Sequence, residues 1–286
     1  MKVVLCGAFG HLGTEILKCL CESGDHEVVA ADLKEVKIKD CEGKYRFVKI
    51  DVTDPDTLKG LCNGADVMIT TVGLTAASKE FTAYDIDYLG NMNLYAEARR
   101  AGVKKFNYVS VISCDEKGTE KVPMLRAKYM MEQEIKKGDM GYVIYRPTGY
   151  FYDIVKVFKP YVDKGEIRLL KGYGDVKANV VDCKDFAQFI VDHMSESSIT
   201  YNIGGKETYS YEEMATMCFK AADKPLKIKW APVWLFGVLA SLPKIKKEGK
   251  HDIILFSKWT LSHDLVGDTI VGEKSFKEYI SEYFGK

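Results

Sequence analysis

Short runs of apolar, mostly β-branched residues alternate with longer amphipathic stretches through the first half of the chain. Because the runs are continuous rather than alternating, they predict strands buried on both faces, as in a parallel sheet covered by helices. The predicted strands are Val3–Cys6, Glu27–Asp32, Phe47–Ile50, Val67–Thr70, Phe106–Val111 and Tyr142–Tyr145. The predicted helices between them are Leu12–Cys21, Pro55–Cys62, Tyr88–Arg100 and Met124–Lys136. This order predicts an α/β fold with a doubly wound, Rossmann-like parallel sheet.

The rhythm changes after Pro147. Ser210 and Glu213 have the spacing of a capping box at the start of a helix. The other predicted elements of this half are helices near Ile154–Val162 and at Lys184–His193, and strands at Ile167–Leu170 and Thr200–Ile203. Because no Gly/Ser-rich linker divides the chain, we expect residues 1–150 to form the main sheet domain and residues 151–286 a smaller C-terminal lobe integrated with it.

One segment of the second half, Val233–Leu242, is almost wholly apolar and is followed by Lys244, Lys246, Lys247 and Lys250. It is too short to cross a bilayer, which takes about 20 residues. Two interpretations stay open: a core or substrate-lid helix, and a helix on a membrane surface with a basic flank. We favour the first of them.

Three glycines with a spacing of three, Gly7, Gly10 and Gly13, stand between the first predicted strand and the first predicted helix. In that position the first glycine allows a tight turn, the second lets the main chain approach a diphosphate, and the third lets helix and strand pack closely. The free N–H groups at the start of the helix, at the positive end of its dipole, then face the phosphates. The pattern predicts a dinucleotide site.

Acidic residues stand at the carboxyl ends of the next two predicted strands. Asp32 ends the second strand, where a carboxylate accepts hydrogen bonds from the adenine ribose, and Asp51 with Val52 follows the third, near the expected adenine ring. The charge of Asp32 repels a 2′-phosphate, which favours NAD over NADP. Lys34 and Lys37 follow Asp32 closely in the sequence and could bind that phosphate, so NADP remains the alternative cofactor.

Composition and charge bear on the expected partners, metal content and location of the protein. Lys plus Arg and Asp plus Glu balance at 41 each, which argues against a nucleic-acid partner. The eight cysteines are scattered without C-x-x-C pairs, so we expect reduced thiols and no metal site. Apolar residues from Val3 to Cys6 follow Met1 almost at once and leave no room for a signal segment. We therefore expect a cytoplasmic protein.

Several stretches together resemble the short-chain dehydrogenase/reductase superfamily in its extended or atypical branch, with NmrA-like and divinyl-reductase-like members as the nearest types. The stretches are GAFGHLG (7–13), Asp32, IDVTD (50–54), TTVG (70–73), residues 88–111, Lys128, YRPTGYF (145–151), residues 172–194 and residues 201–215. The resemblance covers nearly the whole chain and implies a nicotinamide cofactor.

The chain departs from this family at the catalytic positions. Typical members carry Tyr-x-x-x-Lys on one helix face and a serine after the fifth strand; here Met124 replaces the tyrosine and Lys128 remains. Ser110 and Ser113 are the candidate serines, although the family's register falls on Ile112. Methionine donates no proton. Lys128 is then a candidate to hold the ribose or supply a proton.

The candidate replacement acids are Tyr150, Tyr152 and Tyr129, and the first two also fit a substrate pocket or plain core packing. The candidate cofactor-binding residues are Gly7, Phe9, Gly10, His11, Leu12, Gly13, Asp32, Leu33, Asp51, Val52, Thr71, Val72, Gly73 and Lys128. These residues and the resemblance predict hydride transfer from NAD(P)H to a small conjugated or carbonyl substrate. The alternative is a dinucleotide-binding, redox-sensing regulator of the NmrA type. We expect a monomer or a homodimer.

Overall fold

A computed structural model describes residues 1–285. Its centre is a sheet of eight parallel strands in the order β12-β9-β6-β5-β4-β1-β2-β3. The strands of this sheet are β1 (Lys2–Cys6), β2 (Glu27–Asp32), β3 (Tyr45–Lys49), β4 (Val67–Thr70), β5 (Lys105–Val109), β6 (Gly141–Pro147), β9 (Ile199–Gly204) and β12 (Thr269–Ile270). The predicted doubly wound α/β fold is confirmed.

Helices cover both faces of the sheet. The helices are α1 (His11–Ser23), α2 (Asn91–Arg100), α3 (Pro123–Lys137), α4 (Phe151–Lys164), α5 (Cys183–His193), α6 (Tyr211–Ala221), α7 (Trp234–Ser241), α8 (Pro243–Lys247), α9 (His251–Thr260) and α10 (Phe276–Phe284). One apolar core lies beneath α1 and α5, and a second lies beneath α2 and α3. The strands are buried on both faces for this reason, which explains their continuous apolar runs.

A third core builds the C-terminal lobe from α4, α6 and α10. Two small sheets complete this lobe: β7 (Ile167–Leu170) pairs with β11 (Ile228–Ala231), and β8 (Lys177–Ala178) pairs with β10 (Tyr209–Ser210). The lobe is continuous with the main sheet, because β9 pairs with β6 and α5 packs on α1. The division at residue 150 stays a prediction.

Two predicted helices differ from the structure. Residues 55–62 form only a single 3-10 turn, Pro55–Leu58. The helix predicted at Tyr88–Arg100 begins earlier, as the π-helical turn Tyr84–Gly90, and becomes α-helical only at Asn91. Apolar spacing does not distinguish a π turn from an α turn, because the wider turn depends on side-chain partners elsewhere in the fold. The capping box is confirmed: Ser210 Oγ accepts from Glu213 N, and Glu213 Oε2 accepts from Ser210 N.

Candidate functional site

The site lies where the direction of the sheet's winding reverses. β1 and β4 are neighbours in the sheet, while β2 extends it to one side and β5 to the other. The segments that follow β1 and β4 therefore separate at their carboxyl ends and leave a crevice between them. Open parallel sheets bind ligands in this crevice.

Two glycines of the loop after β1, Gly7 and Gly13, have no space for a side chain. Gly7 has φ +75°, and a β-carbon on it would lie 2.6 Å from Thr71 Oγ1. A β-carbon on Gly13 would lie 2.0 Å from the Gly7 carbonyl oxygen, so only glycine permits this helix-to-turn contact. Gly10 is the N-cap residue of α1 and supplies no side-chain hydrogen bond to it. The first N–H groups of α1 are therefore left for an anion.

Asp32 connects the glycine loop to the end of β2. Its Oδ2 accepts from Phe9 N at 2.9 Å, and its Oδ1 accepts from Leu33 N at 2.7 Å. The Phe9 ring lies against Tyr45 and Phe47 of β3, with ring centroids 6.0 and 5.8 Å away. The carboxylate is thus held in place at the edge of the crevice and keeps further lone pairs for a ligand.

A cavity of about 310 Å³ opens beside this carboxylate. It is lined by Gly7, Asp32, Leu33, Ile50, Asp51, Val52, Thr53, Thr71, Val72, Gly73, Leu74, Phe81 and Ile86. Eight of these were predicted as cofactor contacts from the sequence. The other five were missed: Ile50 and Thr53 flank the predicted pair Asp51 and Val52, and Leu74, Phe81 and Ile86 lie beyond Gly73, where the sequence carries no nucleotide motif. The predicted residues Phe9 to Gly13 stand on the glycine-loop side, beyond the cavity lining.

The Asp51–Val52 turn is held by local hydrogen bonds. Asp51 Oδ1 accepts from the amide and the hydroxyl of Thr53, and the Val52 carbonyl accepts from Asn93 Nδ2 at 2.9 Å. A β-carbon on Gly90 would lie 2.8 Å from Val52 Cγ2, so the π turn approaches Val52 closely only because Gly90 has no side chain. These contacts give the cavity a rigid apolar wall.

Lys128 lies at the other end of the crevice, beside Gly73. Its Nζ is 3.1 Å from Asp87 Oδ1 and donates to the Val109 carbonyl at 3.2 Å. Asp87 Oδ2 accepts from Leu74 N at 3.0 Å, so the same carboxylate also fixes the segment after Gly73. Asp87 is fully buried. The structure thus brings Lys128 to the crevice and gives it a counter-ion that the sequence analysis missed.

Asn91 explains the π turn and is a second residue that the sequence analysis missed. Its Nδ2 donates to the carbonyls of Ile86, Asp87 and Val72 at 3.1 to 3.2 Å, and its Oδ1 accepts from Thr70 Oγ1 at 2.8 Å. The side chain thus binds two carbonyls of the π turn and links the turn to the end of β4 and to Val72. Because Asn93 and two aspartates stand close to it in the sequence, nothing in the local pattern singled out Asn91.

The other candidate catalytic residues lie in different surroundings. Ser110 Oγ donates to Glu132 Oε1 at 2.6 Å, within a buried cluster that also contains Arg146. Ser113 is buried with φ +59°. Tyr150 stacks on Phe186 at 6.1 Å, and burial raises the pKa of its phenol well above the ordinary value. Within residues 1–285, none of the three is hydrogen-bonded to Lys128. Their catalytic roles stay predictions.

Nowhere in residues 1–285 do three or more His, Cys, Asp or Glu side chains gather closely enough to hold a metal ion. Among the helices of the same residues, none has the length and apolarity to cross a membrane.

The parallel sheet with its switch point, the glycine loop, the acid at the end of β2 and the adjoining cavity define a dinucleotide-binding protein of the Rossmann type. The chain belongs to a family described as NAD(P)H-binding, whose model matches residues 7–197. The resemblance to the atypical branch of the short-chain dehydrogenase/reductase superfamily is confirmed.

Relatives of known role are similar over much of the chain. The photosystem II assembly factor Ycf39 of Synechocystis sp. is 23% identical, over all of this chain and 91% of its own length. An Arabidopsis thaliana protein named as NADH dehydrogenase [ubiquinone] 1 alpha subcomplex subunit 9, mitochondrial, is 25% identical over 74% of this chain and 56% of its own length.

Among solved structures, the NADPH-dependent quinone oxidoreductase QOR2 of Escherichia coli, in complex with NADPH, matches with a TM-score of 0.76 and 16% identity, over 99% of both chains. A nucleoside-diphosphate-sugar epimerase of Staphylococcus aureus matches with a TM-score of 0.76 and 16% identity, over 98% of this chain and 100% of its own. At this identity the two structures establish the fold.

Proposed function

We propose that the protein is an oxidoreductase that binds a nicotinamide dinucleotide across the crevice and reduces a small conjugated or carbonyl substrate. The observation that carries the proposal is the cradle: the bare glycine loop, the open start of α1 and the fixed Asp32 carboxylate stand together beside the cavity. A loop that served only as a turn would need neither the anchored acid nor the adjoining cavity.

Each part of the cradle has a role in binding. The N–H groups from His11 to Gly13 would hold the diphosphate at the positive end of α1. Asp32 would accept the hydroxyls of the adenine ribose, and Val52 would contact the adenine. Lys128 would hold the second ribose. When bound, the cofactor supplies the hydride, so the protein contributes orientation and a pocket that excludes water.

The lack of an obvious protein group to protonate the reduced substrate limits which substrates the protein can reduce. Met124 occupies the position of the family's catalytic tyrosine and has no proton to donate. The ammonium group of Lys128 is held by Asp87. An acceptor that delocalises the incoming negative charge, such as a quinone or another conjugated carbonyl compound, makes the smallest demand on a protein acid. We therefore infer this substrate class.

We infer a preference for NAD over NADP. The Asp32 carboxylate is fixed by Phe9 N and Leu33 N and would stand where a 2′-phosphate would have to fit. Lys34 and Lys37 are exposed beyond it and are the residues available to a phosphate. In calorimetry, wild type should therefore bind NADH more tightly than NADPH, and Asp32→Ser should reduce that difference.

A second candidate function is a dinucleotide-binding regulator without turnover. Met124 and the Lys128–Asp87 ion pair support it, because together they leave the crevice without a mobile proton donor. The similarity to a named assembly factor also supports it. Tight NADH binding without turnover on any member of a quinone panel would favour the regulator over the enzyme.

The test of the oxidoreductase is reduction of a quinone panel by NADH, compared between wild type and Lys128 variants. Lys128→Ala should lower kcat/KM by at least about 10-fold, the scale of one lost charge-assisted hydrogen bond. Lys137→Ala on the exposed face of α3 is the matched control and should leave kcat/KM unchanged.

Removal of Lys128 alone leaves the buried Asp87 charge unpaired, so a second variant separates folding from function. Asp87→Asn with Lys128→Met removes both charges and should retain the fold while losing activity. Equal activity in this double variant and in wild type would overturn the assigned role of Lys128. Absence of any heat with all four nicotinamide nucleotides would overturn the cofactor site itself.

A further inference from the structure

The apolar segment at residues 233–242 forms an exposed surface. It folds as α7, in which Ala240 is the one buried residue. Trp234 on α7 is 65% exposed, Val238 47% and Leu242, just after the helix, 42%. Of the interpretation that we favoured from the sequence, a core helix is therefore wrong for α7, and a substrate-lid helix stays a prediction.

The exposed residues share one side of the helix. Trp234, Val238 and Leu242 follow each other at intervals of four, which places them in one row along the helix. Leu239, next to Val238 on α7, is also exposed and extends the apolar surface. A helix that is apolar on all sides is ordinarily covered, either by protein or by lipid. Such a surface on an otherwise ordinary chain marks an interaction site.

A basic cluster borders this apolar surface. Lys244, Lys246 and Lys247 lie on α8, the next turn of chain, and all are exposed. Glu248 is paired with Lys250 at 2.6 Å and lies 4.0 Å from Lys244. Lys246 and Lys247 have no ion-pair partner within residues 1–285. Because the chain as a whole has no net charge, this positive region is local.

The reverse side of the segment is tied to the rest of the protein. His251 Nδ1 lies 2.9 Å from the Ala240 carbonyl and joins α9 to α7. Asp252 Oδ2 accepts from Ala83 N at 3.3 Å, at the end of the segment that carries the cavity residue Phe81. Trp259 packs against Gly118. The exposed row is thus held in place on a packed helical pair and is not a loose loop.

We propose that this surface, made of Trp234, Val238, Leu239, Leu242 and the lysines of α8, docks on an anionic lipid bilayer. Charge complementarity selects this occupant: lysines beside apolar and tryptophan side chains match negative head groups above an acyl layer. A second copy in a two-fold interface would set this patch against itself and bring like-charged lysines close together. The proposal is independent of the reaction assigned to the crevice.

Flotation of the full chain with vesicles tests the proposal. Wild type should float with vesicles that contain phosphatidylserine, and less with pure phosphatidylcholine or at high salt. Lys246→Glu with Lys247→Glu should weaken binding by at least about fivefold per lysine. Trp234→Glu should abolish flotation while leaving the NADH affinity unchanged, because Trp234 lies outside the cavity lining.

Matched controls use residues away from this surface. Lys44→Glu with Lys104→Glu changes two exposed lysines that precede β3 and β5 and do not belong to the proposed surface, and this variant should float like wild type. Ile270→Glu, at an exposed apolar residue of the edge strand β12, should also float.

Three results would overturn the proposal. The first is wild type that stays at the bottom of the gradient with phosphatidylserine vesicles. The second is an equal loss of flotation in the surface variants and in the control variants. The third is a wild-type dimer in sedimentation that Trp234→Glu converts to a monomer, which would assign the surface to a second copy of the chain.

Discussion

At the scale of single residues, the glycines of this chain differ in what surrounds them rather than in their own chemistry. A β-carbon on Gly13 would clash with the backbone at Gly7, whereas one on Gly237 in α7 meets nothing within 4 Å. The Gly7 to Gly13 contact sets how closely α1 approaches the turn, and so where its free N–H groups lie. Gly13 is therefore a position where stability and cofactor binding should change together.

Gly13→Ala should lower the free energy of unfolding by about 1–3 kcal/mol, because the obstructing atoms are backbone and a shift there strains a packed region. It should also weaken NADH binding in calorimetry. Gly237→Ala is the matched control: in an open helical position it should raise the free energy of unfolding by about 0.5–1 kcal/mol and leave NADH affinity unchanged. Equal effects of the two substitutions in chemical denaturation would contradict this explanation.

At the scale of elements, a buried ionic cluster joins α3 to β6 and to the segment after β5. Arg146 binds both oxygens of Glu132, at 2.8 and 2.6 Å, and Ser110 and Lys136 donate to the same carboxylate. Arg146 Nη1 also donates to Asp115 at 2.9 Å. The cluster holds α3, and with it Lys128, against the sheet. Ser110 has a structural partner here, which was not apparent from its place after the fifth strand.

Glu132→Gln should lower the free energy of unfolding by about 3–5 kcal/mol at neutral pH, because it removes the buried counter-ion of Arg146 and leaves only the half-exposed Asp115 to pair with that charge. Replacement of both partners, Glu132→Met with Arg146→Met, should cost less than the single change, since no charge remains buried. Denaturant unfolding measures the free energy of unfolding of the two variants and of wild type. A double variant less stable than Glu132→Gln would show that the arginine's other contact, to Asp115, carries most of the stabilisation.

The same cluster gives a pH dependence. Burial by itself raises the pKa of Glu132, but the hydrogen bonds and charge of Arg146, with Ser110 and Lys136, outweigh it and hold the pKa below its ordinary value. The carboxylate therefore stabilises the fold above the unfolded-state pKa of about 4.3, and this contribution is lost as the pH falls through the lower folded-state pKa. The stability difference between wild type and Glu132→Gln should shrink in acid, as measured by denaturant unfolding across this range.

At the scale of the whole molecule, the C-terminal half completes the main sheet as well as building its own lobe. β9 pairs with β6 along five residues, and β12 extends the sheet beyond it. Phe186 and Ile190 of α5 share a buried core with Ile16 and Leu17 of α1. The first half alone would expose this core face and the edge of β6, so its stability depends on the second half.

A fragment of residues 1–150 should therefore show no cooperative thermal unfolding by circular dichroism, whereas the full chain should show a single transition. Exposure of the core face beneath α5 and of an unpaired strand edge is the physical reason. A fragment that melts cooperatively and binds NADH like the full chain would establish residues 1–150 as an independent domain.

The sequence by itself determined seven of the eight strands of the main sheet, the parallel winding and the glycine cradle with Asp32. These depend on local periodicity and on glycines at fixed spacing, which act over a few residues. Only the tertiary structure decided that Asp87 is the partner of Lys128, that Asn91 supports a π turn and that α7 is exposed. Those outcomes depend on which distant segments meet. Periodicity specifies that a face is apolar, and the assembled fold decides whether anything covers it.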